Sequence, residues 1–540
     1  MTTYDYIIVG AGSAGCILAA RLSESGRHTV LLVEAGGNDS SPWFRVPVGY
    51  ARSYYDPKVN WMYWTEPQAA LAGRRIYAPR GKVQGGSGSI NAMIFVRGAA
   101  DDFDDWAAAG NHGWGFDDVL PFFRKLETHA GGESRFHGGR GPIHVTSMRG
   151  QSHAITDRFL TACAELQLPL NADFNGGSLE GAGIYDINTK NGVRSSSSLA
   201  YLRPALRRSN LFILRNSRVQ RVIVDAERRA TGIEVANDAG VVSYVARHEV
   251  ILSAGAIDTP KLLQLSGIGD GELLQSVGIS SVHHLPGVGR NLQDHLCASF
   301  YYRSTVPTLN DELGTFFGQA RQALRYVVTR RGPLALSVNQ AGAFLRGSPE
   351  AARPNIQLYF NPLSYRIPTD PRAGLKPEPY SGFLLAFNSC RPTSRGTVKI
   401  VSPEIEDAPH IQPNYLTTEQ DEAEVIQGSR LIRRIMEAPA LSAITESEMP
   451  PSADAVSDGE LLDYFRRNSG SIYHLCGTAA MGPDARNAVV DASLKVHGIS
   501  GLRVVDASVF PNITAGNINA PTMMVAEKGA AMILAERSAA

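Results

Sequence analysis

The chain has 540 residues, which is more than a single compact core usually supports, so two or more domains are expected. Its 52 Lys and Arg residues balance its 52 Asp and Glu residues, and this zero net charge gives no indication of a nucleic-acid partner or an anionic membrane. Basic pairs such as Arg207-Arg208 and Arg330-Arg331 are short and are interpreted as solvated helix ends or loops.

Cysteine usage and apolar runs predict a cytoplasmic protein. The cysteines are odd in number and form no CxxC pair: Cys16, Cys163, Cys297, Cys390 and Cys476. This pattern fits a reducing compartment and argues against a disulfide framework or a structural metal site. The N-terminal MTTYDYIIVG has no basic region followed by an apolar one, so no signal peptide is expected. No uncharged apolar run approaches the roughly 20 residues needed to span a bilayer, so no transmembrane segment is expected.

The first 36 residues have the pattern of a strand, a tight turn, a helix and a second strand. Residues 4–9 are rich in β-favouring types, residues 16–22 have a helical pattern, and residues 29–34 form a mostly apolar strand. This order is typical of the start of a nucleotide-binding α/β domain.

Gly10, Gly12 and Gly15 form a GxGxxG motif that directly follows the first strand. Glycine permits the tight turn, the approach of a pyrophosphate to the backbone and the packing of the helix on the sheet. Glu34 ends the second strand, where a carboxylate accepts hydrogen bonds from adenosine ribose hydroxyls and repels a 2′-phosphate. The motif therefore predicts a dinucleotide site that disfavours NADP, and it leaves FAD and NAD open.

Later segments differ in character. Glycine-rich stretches at 79–98 and 129–142 suit crossings between domains, and residues 212–256 alternate in strand fashion before a turn into a helix. The block from about 300 to 465 is interpreted as a substrate-facing region that mixes strands with helices: strands at 354–360 and 383–387, and a helix at 419–436. Strand and helix patterns with short turns return in the last 70 or so residues.

A late apolar strand at 502–506 closes on Asp506. Many flavoproteins reach the ribityl or pyrophosphate part of FAD with such an aspartate. The glycine motif at residue 10, far ahead of the substrate region, also favours FAD over NAD. The alternative interpretation of Asp506 is a helix N-cap or a turn residue.

Taken together, the motifs resemble the glucose–methanol–choline (GMC) oxidoreductase family over essentially the whole chain. GAGSAGCILAARLSES and LLVEAG are similar to the family's FAD-binding opening, and GKVQGGSGSINAMIFVRG (81–98) and GAIDTPKLLQLSGIG (255–269) resemble its two signatures. GVGRNLQDH (287–295) and residues 504–506 also fit. DFNGGSLEGAGIYDINTKNG (173–192) and YLRPAL (201–206) resemble bacterial choline dehydrogenase-like and sorbose dehydrogenase-like members.

The resemblance implies an α/β (α+β) fold. A Rossmann-like FAD-binding domain is built from discontinuous segments, and a substrate domain carries an antiparallel sheet flanked by helices. We predict that the segments divide as follows: residues 1–150, 200–300 and 466–540 form the FAD-binding domain, and residues 151–199 and 301–465 form the substrate-binding domain.

The first signature has a physical interpretation under this resemblance. A run of small residues at 85–89, with Gly88 where serine is common, lets backbone amides approach the flavin and pyrophosphate, and residues 91–93 would lie along the isoalloxazine ring. Ile90 stands where some members carry a histidine bonded to the flavin, so non-covalent, dissociable FAD is predicted. The predicted FAD-binding residues are Gly10, Gly12, Ser13, Ala14, Gly15, Glu34, Ala35, Gly81, Gly85, Gly86, Ser87, Asn91, Ala92, Met93, Val219, Ala254, Gly255, Asp506, Ala507, Asn519 and Thr522.

Two polar motifs near the C-terminus are predicted to be catalytic: SIYHLCGTAAMG (471–482) and AGNINAPT (515–522). The resemblance implies that His474 and Asn517 lie side by side at the flavin's reactive face. A histidine, with an unperturbed pKa near roughly 6.5, accepts the hydroxyl proton of a primary alcohol while a hydride passes to flavin N5 and an aldehyde forms. Asn517 would orient the hydroxyl, or else cap the following helix, a role that Asn519 could also fill.

Other functions remain open at the level of sequence. The reduced flavin is expected to be reoxidised by a quinone-type acceptor or by oxygen, with a slight preference for the quinone. Alternatives are an alcohol oxidase acting on choline, pyridoxine or an aryl alcohol, a flavin-independent NAD dehydrogenase, a non-redox lyase or photodecarboxylase, and a binding protein without catalysis. A monomer or homodimer is expected.

Overall fold

The computed structural model describes residues 2–237, 240–366 and 374–539, and two seven-stranded sheets dominate them. The order of the first sheet is Leu211–Leu214, Val30–Val33, Thr2–Val9, Gly240–Leu252, Ala230–Asn237 and Arg218–Val224, with Leu502–Val504 paired to Gly240–Leu252. Pairing is parallel from Leu211–Leu214 through to Gly240–Leu252 and on to Leu502–Val504, and antiparallel in the meander of residues 218–252.

The first sheet has apolar strands whose side chains are buried on both faces of the sheet. All four residues of Val30–Val33 are buried, as expected for a parallel strand between layers of helices. Helices Ser13–Leu22 and Asn519–Ala539 pack against each other beside the sheet. The predicted strand, turn and helix are therefore present, but the helix begins at Ser13 instead of residue 16 because the last residues of the glycine motif already have helical conformation.

The second sheet is antiparallel throughout. Its order is Thr445–Glu448, Leu296–Ser304, Gly382–Ser389, Ile356–Asn361, Ala341–Leu345 and Gly181–Ile184, and Gly470–Ser471 pairs with Leu296–Ser304. Helices Ile155–Glu165, Glu419–Glu437 and Asp458–Asn468 flank it. This confirms the expected fold class: a parallel, Rossmann-like sheet assembled from distant segments, and a second, antiparallel sheet with helices.

Each sheet has its own hydrophobic core. The strands predicted at 354–360 and 383–387 are Ile356–Asn361 and Gly382–Ser389, and the helix predicted at 419–436 is Glu419–Glu437, capped by the Thr418 side chain. The domain boundaries stay a prediction. Strand Leu296–Ser304 runs across the predicted boundary at residue 300.

Shorter elements connect the two sheets. The remaining helices are Tyr50–Ser53, Ala100–Ala108, Phe116–Leu126, Arg203–Ala205, Gly255–Leu265, Gly271–Ser276, Leu309–Leu313, Phe316–Thr329 and Pro439–Ser442. The remaining paired strands are Tyr63–Trp64 with Tyr77–Ala78, Ile143–Ser147 with Glu127–His129 and Asp186–Ile187, Thr189–Lys190 with Val193–Arg194, Ile268–Gly269 with His283–His284, Tyr365–Arg366 with Lys376–Pro377, and Thr397–Lys399 with His410–Gln412. Within the described ranges, no helix has both the length and the apolar character to cross a membrane.

Candidate active site

A cavity of about 1260 Å³ lies where the two sheets approach each other. One end, which we call the glycine end, is lined by the GxGxxG turn, Glu34 and Asp506, and the other, the histidine end, by His474 and Asn517. The wall contains both predicted catalytic residues and the following predicted FAD-binding residues: Gly10, Gly12, Ser13, Ala14, Glu34, Ala35, Gly81, Gly86, Ser87, Asn91, Ala92, Met93, Val219, Ala254, Gly255, Asp506, Ala507, Asn519 and Thr522. Gly15 and Gly85 lie behind the wall.

The glycine end is narrow because backbone segments approach each other there. Gly10 has φ +97°, and a Cβ on it would lie 2.6 Å from the Ser253 carbonyl oxygen. A Cβ on Gly86, at φ +54°, would lie 2.7 Å from the Gly12 Cα. A side chain at either position would fill the cradle, so the two loops form a surface of bare backbone of the kind that accepts a pyrophosphate.

Gly15 and Gly85 act one layer further out. A Cβ on Gly15 would lie 1.9 Å from the Gly10 carbonyl oxygen, so glycine is needed for the helix to pack against its own turn. The Gly85 amide donates to the Ala11 carbonyl at 2.7 Å and thereby joins the first signature to the glycine turn.

Glu34 is buried in the wall and holds the turn together. Its carboxylate accepts hydrogen bonds from the Ala11 and Gly36 amides, both at 2.8 Å. Burial raises the pKa of Glu34 to about 7. Two further lone-pair positions on the carboxylate are available for hydroxyl donors, so the residue fits the ribose role predicted for it.

Asp506 caps a helix, one of the two roles that the sequence left open, and it also lines the cavity. Its side chain caps the short helix Ala507–Val509 by accepting from the Ser508 amide at 2.7 Å. The other carboxylate oxygen accepts from the Gly255 amide at 2.8 Å and the Thr259 hydroxyl at 2.7 Å. Asp506 therefore fastens the start of helix Gly255–Leu265 to the late strand while it lines the cavity.

Asn519 is the first residue of the C-terminal helix and bonds to the start of the N-terminal one. The Ser13 hydroxyl donates to Asn519 Oδ1 at 2.8 Å. Two helix N-termini thus face the same part of the cavity, and their positive dipole ends favour an anionic group between them.

The first signature is organised by a buried arginine that the sequence analysis did not single out. Arg194 donates to the Asn91 side chain at 2.6 Å and to the Asn91 carbonyl at 2.7 Å. Burial lowers the pKa of this guanidinium to about 10. Ile90 is buried against Phe44 and Val83, and as a hydrocarbon side chain it has no group to bond a flavin.

His474 and Asn517 meet at the histidine end. Asn517 Nδ2 lies 3.1 Å from His474 Nε2, and the Asn517 Oδ1 atom is buried without a partner among the described residues. Both side chains line the cavity. An unpaired buried acceptor beside an imidazole nitrogen fits the hydroxyl of a bound ligand.

A chain of hydrogen bonds sets the tautomer of His474. His295 Nε2 lies 2.9 Å from the Cys390 carbonyl, which accepts, so the proton of neutral His295 is on Nε2. Its Nδ1 is then an acceptor, and it lies 2.9 Å from His474 Nδ1, which must donate. His474 Nε2 is therefore unprotonated and carries its lone pair toward Asn517.

The electrostatic environment keeps both imidazoles neutral. Burial lowers the pKa of His295 to about 4. Burial, followed by nearby His295 and Arg80, lowers the pKa of His474 well below its usual value. His474 is consequently a free base near neutral pH, although a weaker one than an imidazole in water.

Asp294 fixes the backbone that carries His474. It accepts from the His474 amide at 2.7 Å and from the hydroxyls of Ser471 and Tyr415. GVGRNLQDH (287–295) was identified as a family motif, but no role was predicted for Asp294 or His295. The sequence does show an Asp-His pair directly before an alternating strand. The residues that Asp294 and His295 bind lie 95 or more positions away, so the sequence did not indicate what the pair does.

The site can therefore hold a dinucleotide at one end and remove a proton at the other. The narrow glycine cradle and the carboxylate of Glu34 fit the nucleotide half of FAD, and the cavity continues without interruption to His474. This arrangement is suited to oxidation of an alcohol at a flavin.

Family models described as GMC oxidoreductase match residues 4–297 and 392–526. The chain is 42% identical over 534 residues to the oxygen-dependent choline dehydrogenase of Vibrio vulnificus (strain YJ016), covering 98% of this chain and 94% of that protein. It is 38% identical to the alcohol dehydrogenase [acceptor] of Pseudomonas putida, covering 98% and 96%.

Solved structures agree with these matches. Pyridoxine 4-oxidase from "Mesorbium loti" superposes with a TM-score of 0.88 at 33% identity, covering 98% of this chain and 99% of that one. Formate oxidase from Aspergillus oryzae RIB40 superposes with a TM-score of 0.90 at 28% identity, covering 99% of both chains.

Proposed function

The chain belongs to the GMC oxidoreductase family and is an FAD-dependent oxidoreductase acting on CH–OH donors, and from that premise we propose that His474 and Asn517 carry out the oxidation of a primary alcohol to an aldehyde. The observation that carries this proposal is the unprotonated His474 Nε2 beside Asn517, in the cavity that also holds the glycine cradle.

In this proposal, side chains of the protein accept the hydroxyl proton of the substrate and orient the hydroxyl group. His474 Nε2 accepts the hydroxyl proton of the substrate, and the bond from His474 Nδ1 to His295 keeps the ring oriented while it becomes charged. Asn517 orients the substrate by donating a hydrogen bond from Nδ2 to the hydroxyl oxygen. FAD, when bound, supplies the acceptor for the hydride that leaves the carbinol carbon.

The residues proposed to hold FAD are the predicted ones that line the cavity. The bare backbone of Gly12 and Gly86 faces the pyrophosphate, Glu34 accepts from the ribose, and Asn519 and Ser13 mark the two converging helix ends. We propose that the cofactor is held non-covalently, since Ile90 is a buried hydrocarbon side chain. Release of yellow colour into the supernatant on acid precipitation tests this, and colour retained in the pellet contradicts it.

The histidine end opens into a compartment of aromatic and apolar side chains. These include Tyr54, Tyr301, Tyr365, Tyr464, Tyr473, Leu334, Val338 and Leu363. We propose a primary alcohol with an apolar or aromatic substituent as substrate, because burial of its hydrocarbon part against these side chains stabilises the complex. Choline is the second candidate, because the π-faces of tyrosines also attract a quaternary ammonium ion and several relatives are named choline dehydrogenases.

The acceptor and compartment are also proposals. A quinone-type acceptor is proposed, with oxygen as the alternative, and the relatives' names include both an alcohol dehydrogenase [acceptor] and oxygen-dependent choline dehydrogenases. The cysteines are free, which suits a cytoplasmic, reducing environment. The assembly state, monomer or homodimer, stays a prediction.

The deciding experiment is anaerobic reduction of the purified yellow protein by a matched alcohol panel: 1-hexanol, benzyl alcohol, pyridoxine and choline. Bleaching of the oxidised-flavin band by hexanol or benzyl alcohol supports the proposed substrate class, and bleaching by choline alone overturns it in favour of the second candidate. Readmitted air is compared with an added quinone as the agent that restores the colour. A yellow protein bleached by none of these alcohols would favour the lyase or photodecarboxylase alternative.

A further inference from the structure

Helix Phe316–Thr329 buries polar side chains and exposes apolar ones, the reverse of an ordinary surface helix. Its two buried side chains, Gln322 and Tyr326, are polar. They anchor it through bonds from Gln322 to Glu312 at 2.6 Å and from the Tyr326 hydroxyl to the Gly192 carbonyl at 2.9 Å. A surface helix normally buries its apolar stripe and exposes its polar one.

The apolar side chains of this helix face outward. At about 100° per residue, Phe317, Leu324 and Val328 lie opposite Gln322 and Tyr326. Phe317 is 84% exposed, Leu324 66% and Val328 73%. Phe316 and Val327 widen the same stripe and are likewise exposed, so a continuous hydrophobic surface points away from the protein.

Positive charge borders this stripe. Arg321 and Arg325 project from one flank of the helix, and Arg330 and Arg331 follow its C-terminal end. Across the described ranges none of the four forms an ion pair. The carboxylates just before the helix are already engaged within the protein, since Glu312 accepts from Gln322 and Asp311 accepts from the Thr308 amide and the Ser381 hydroxyl. The local surface is therefore cationic on a chain whose net charge is zero.

The helix also borders the entrance to the cavity. Gln319 and Ala323, one turn apart on the flank away from the arginines, line the cavity that contains His474 and Asn517. Whatever covers the apolar stripe therefore lies next to the route to the site.

We propose that helix Phe316–Thr329 is an interfacial anchor that docks this protein on an anionic lipid bilayer, with the cavity entrance at the membrane surface. The occupant is lipid because an exposed apolar stripe flanked by arginines matches acyl chains beside anionic headgroups. This surface was not predicted from the sequence, because the net charge of the whole chain is zero and the Arg330-Arg331 pair is short. A lipophilic alcohol or acceptor dissolved in the bilayer would then reach the cavity without crossing bulk water.

The test is flotation of the holoenzyme with vesicles of phosphatidylcholine alone and of phosphatidylcholine mixed with phosphatidylglycerol. We expect binding to the mixed vesicles, weaker binding to the neutral ones, and loss of the difference at high salt. The double variant Phe317→Ser/Leu324→Ser should lower the partition coefficient by about tenfold or more. Arg321→Gln/Arg325→Gln should remove most of the preference for anionic vesicles, at roughly fivefold per arginine.

Leu170→Ser is the matched control, because Leu170 is 57% exposed on another part of the surface. It should bind vesicles as the parent protein does. Turnover with a water-soluble dye should be unchanged in every variant, since none of the substituted residues lines the cavity. Vesicle binding is measured without turnover, so its outcome is independent of the proposed reaction.

Three results would overturn the proposal. The first is a holoenzyme that floats with neither kind of vesicle. The second is a Phe317→Ser/Leu324→Ser variant that floats as well as the parent. The third is a parent dimer that this double variant splits into monomers, since a second copy of the chain would then cover the stripe.

Discussion

The glycine end of the cavity is built from backbone, whereas the histidine end is built from side chains. At the glycine end, the absence of a Cβ on Gly86 leaves room between the two loops. Asp506 accepts its hydrogen bonds from groups of the protein itself. At the histidine end the protein leaves Asn517 Oδ1 unpaired and orients His474 through His295. Added side-chain volume at the glycine end should therefore impair cofactor binding. Loss or misorientation of the proton acceptor at the histidine end should impair the reaction. Each change should leave the other property nearly unaffected.

The sharpest way to separate the two ends is His474→Ala. Because this variant removes the proposed proton acceptor, kcat/KM should fall by about 100- to 10,000-fold. The glycine end is untouched, so the bound flavin spectrum should be unchanged. Steady-state kinetics and flavin content measure both. His410→Ala, at an exposed site, is the control, and a His474→Ala enzyme within a few-fold of the parent would refute the assignment.

Gly86→Ala should break the glycine end alone. A methyl group there would meet the Gly12 Cα at 2.7 Å, so we expect FAD affinity to fall by roughly tenfold to a hundredfold. Titration of the apoprotein with FAD measures it. Gly73→Ala is a matched control, because Gly73 also has positive φ but open space around it. Equal losses in the two variants would show that backbone strain, not the close approach, is responsible.

A smaller effect at the histidine end should follow from His295. His295→Leu removes the acceptor that fixes the His474 tautomer, so kcat should fall by about tenfold. His295→Asn, which keeps an acceptor, should recover part of the loss.

The pH profile distinguishes this role from a merely structural one. The lowered pKa of His474 places the acid limb of kcat/KM well below pH 6.5 in the parent enzyme. Replacing the His295 ring, which contacts His474 Nδ1, with a hydrocarbon side chain should shift this limb in His295→Leu. An unmoved limb and an unrecovered His295→Asn variant would contradict the positioning role.

The smallest expected effect is on stability, away from both ends. Burial alone would lower the pKa of His137, but hydrogen bonds to Asp173 and Glu127 raise it to about 9. The native state then holds a proton that the unfolded state releases above roughly pH 6.5, so stability should decline between about pH 6.5 and 9. Because Asp173 is partly exposed, we expect a contribution of about 1–2 kcal/mol. Chemical denaturation of His137→Gln should show a flatter decline, and an identical pH dependence would contradict this.

The two ends also differ in how far the sequence predicted them. The glycine end follows from local spacing, because strand, GxGxxG turn and helix are contiguous and the steric need for glycine is local. His474 and Asn517 were identified through family resemblance. The bonds from Cys390 to His295 and from His295 to His474 join residues 95 and 179 positions apart, so no local pattern contains them.

The helix at Phe316–Thr329 shows a second limit. Its apolar spacing resembles that of a buried face, and hydrophobic periodicity identifies a face without stating what covers it. The orientation is decided by the tertiary bonds of Gln322 and Tyr326. One boundary also shifted: the first helix starts at Ser13 because the last residues of the glycine motif already have helical conformation.

The bond between Ser13 and Asn519 has a consequence for biosynthesis. The two residues are 506 positions apart, and strand Leu502–Val504, which leads to Asp506, joins the first sheet from an equally late part of the chain. On the ribosome the glycine turn emerges almost first, and its partners emerge almost last. The complete pyrophosphate cradle therefore exists only after translation has reached the final helix. Cofactor loading is expected to be a late event, and a chain stalled before residue 500 should be colourless.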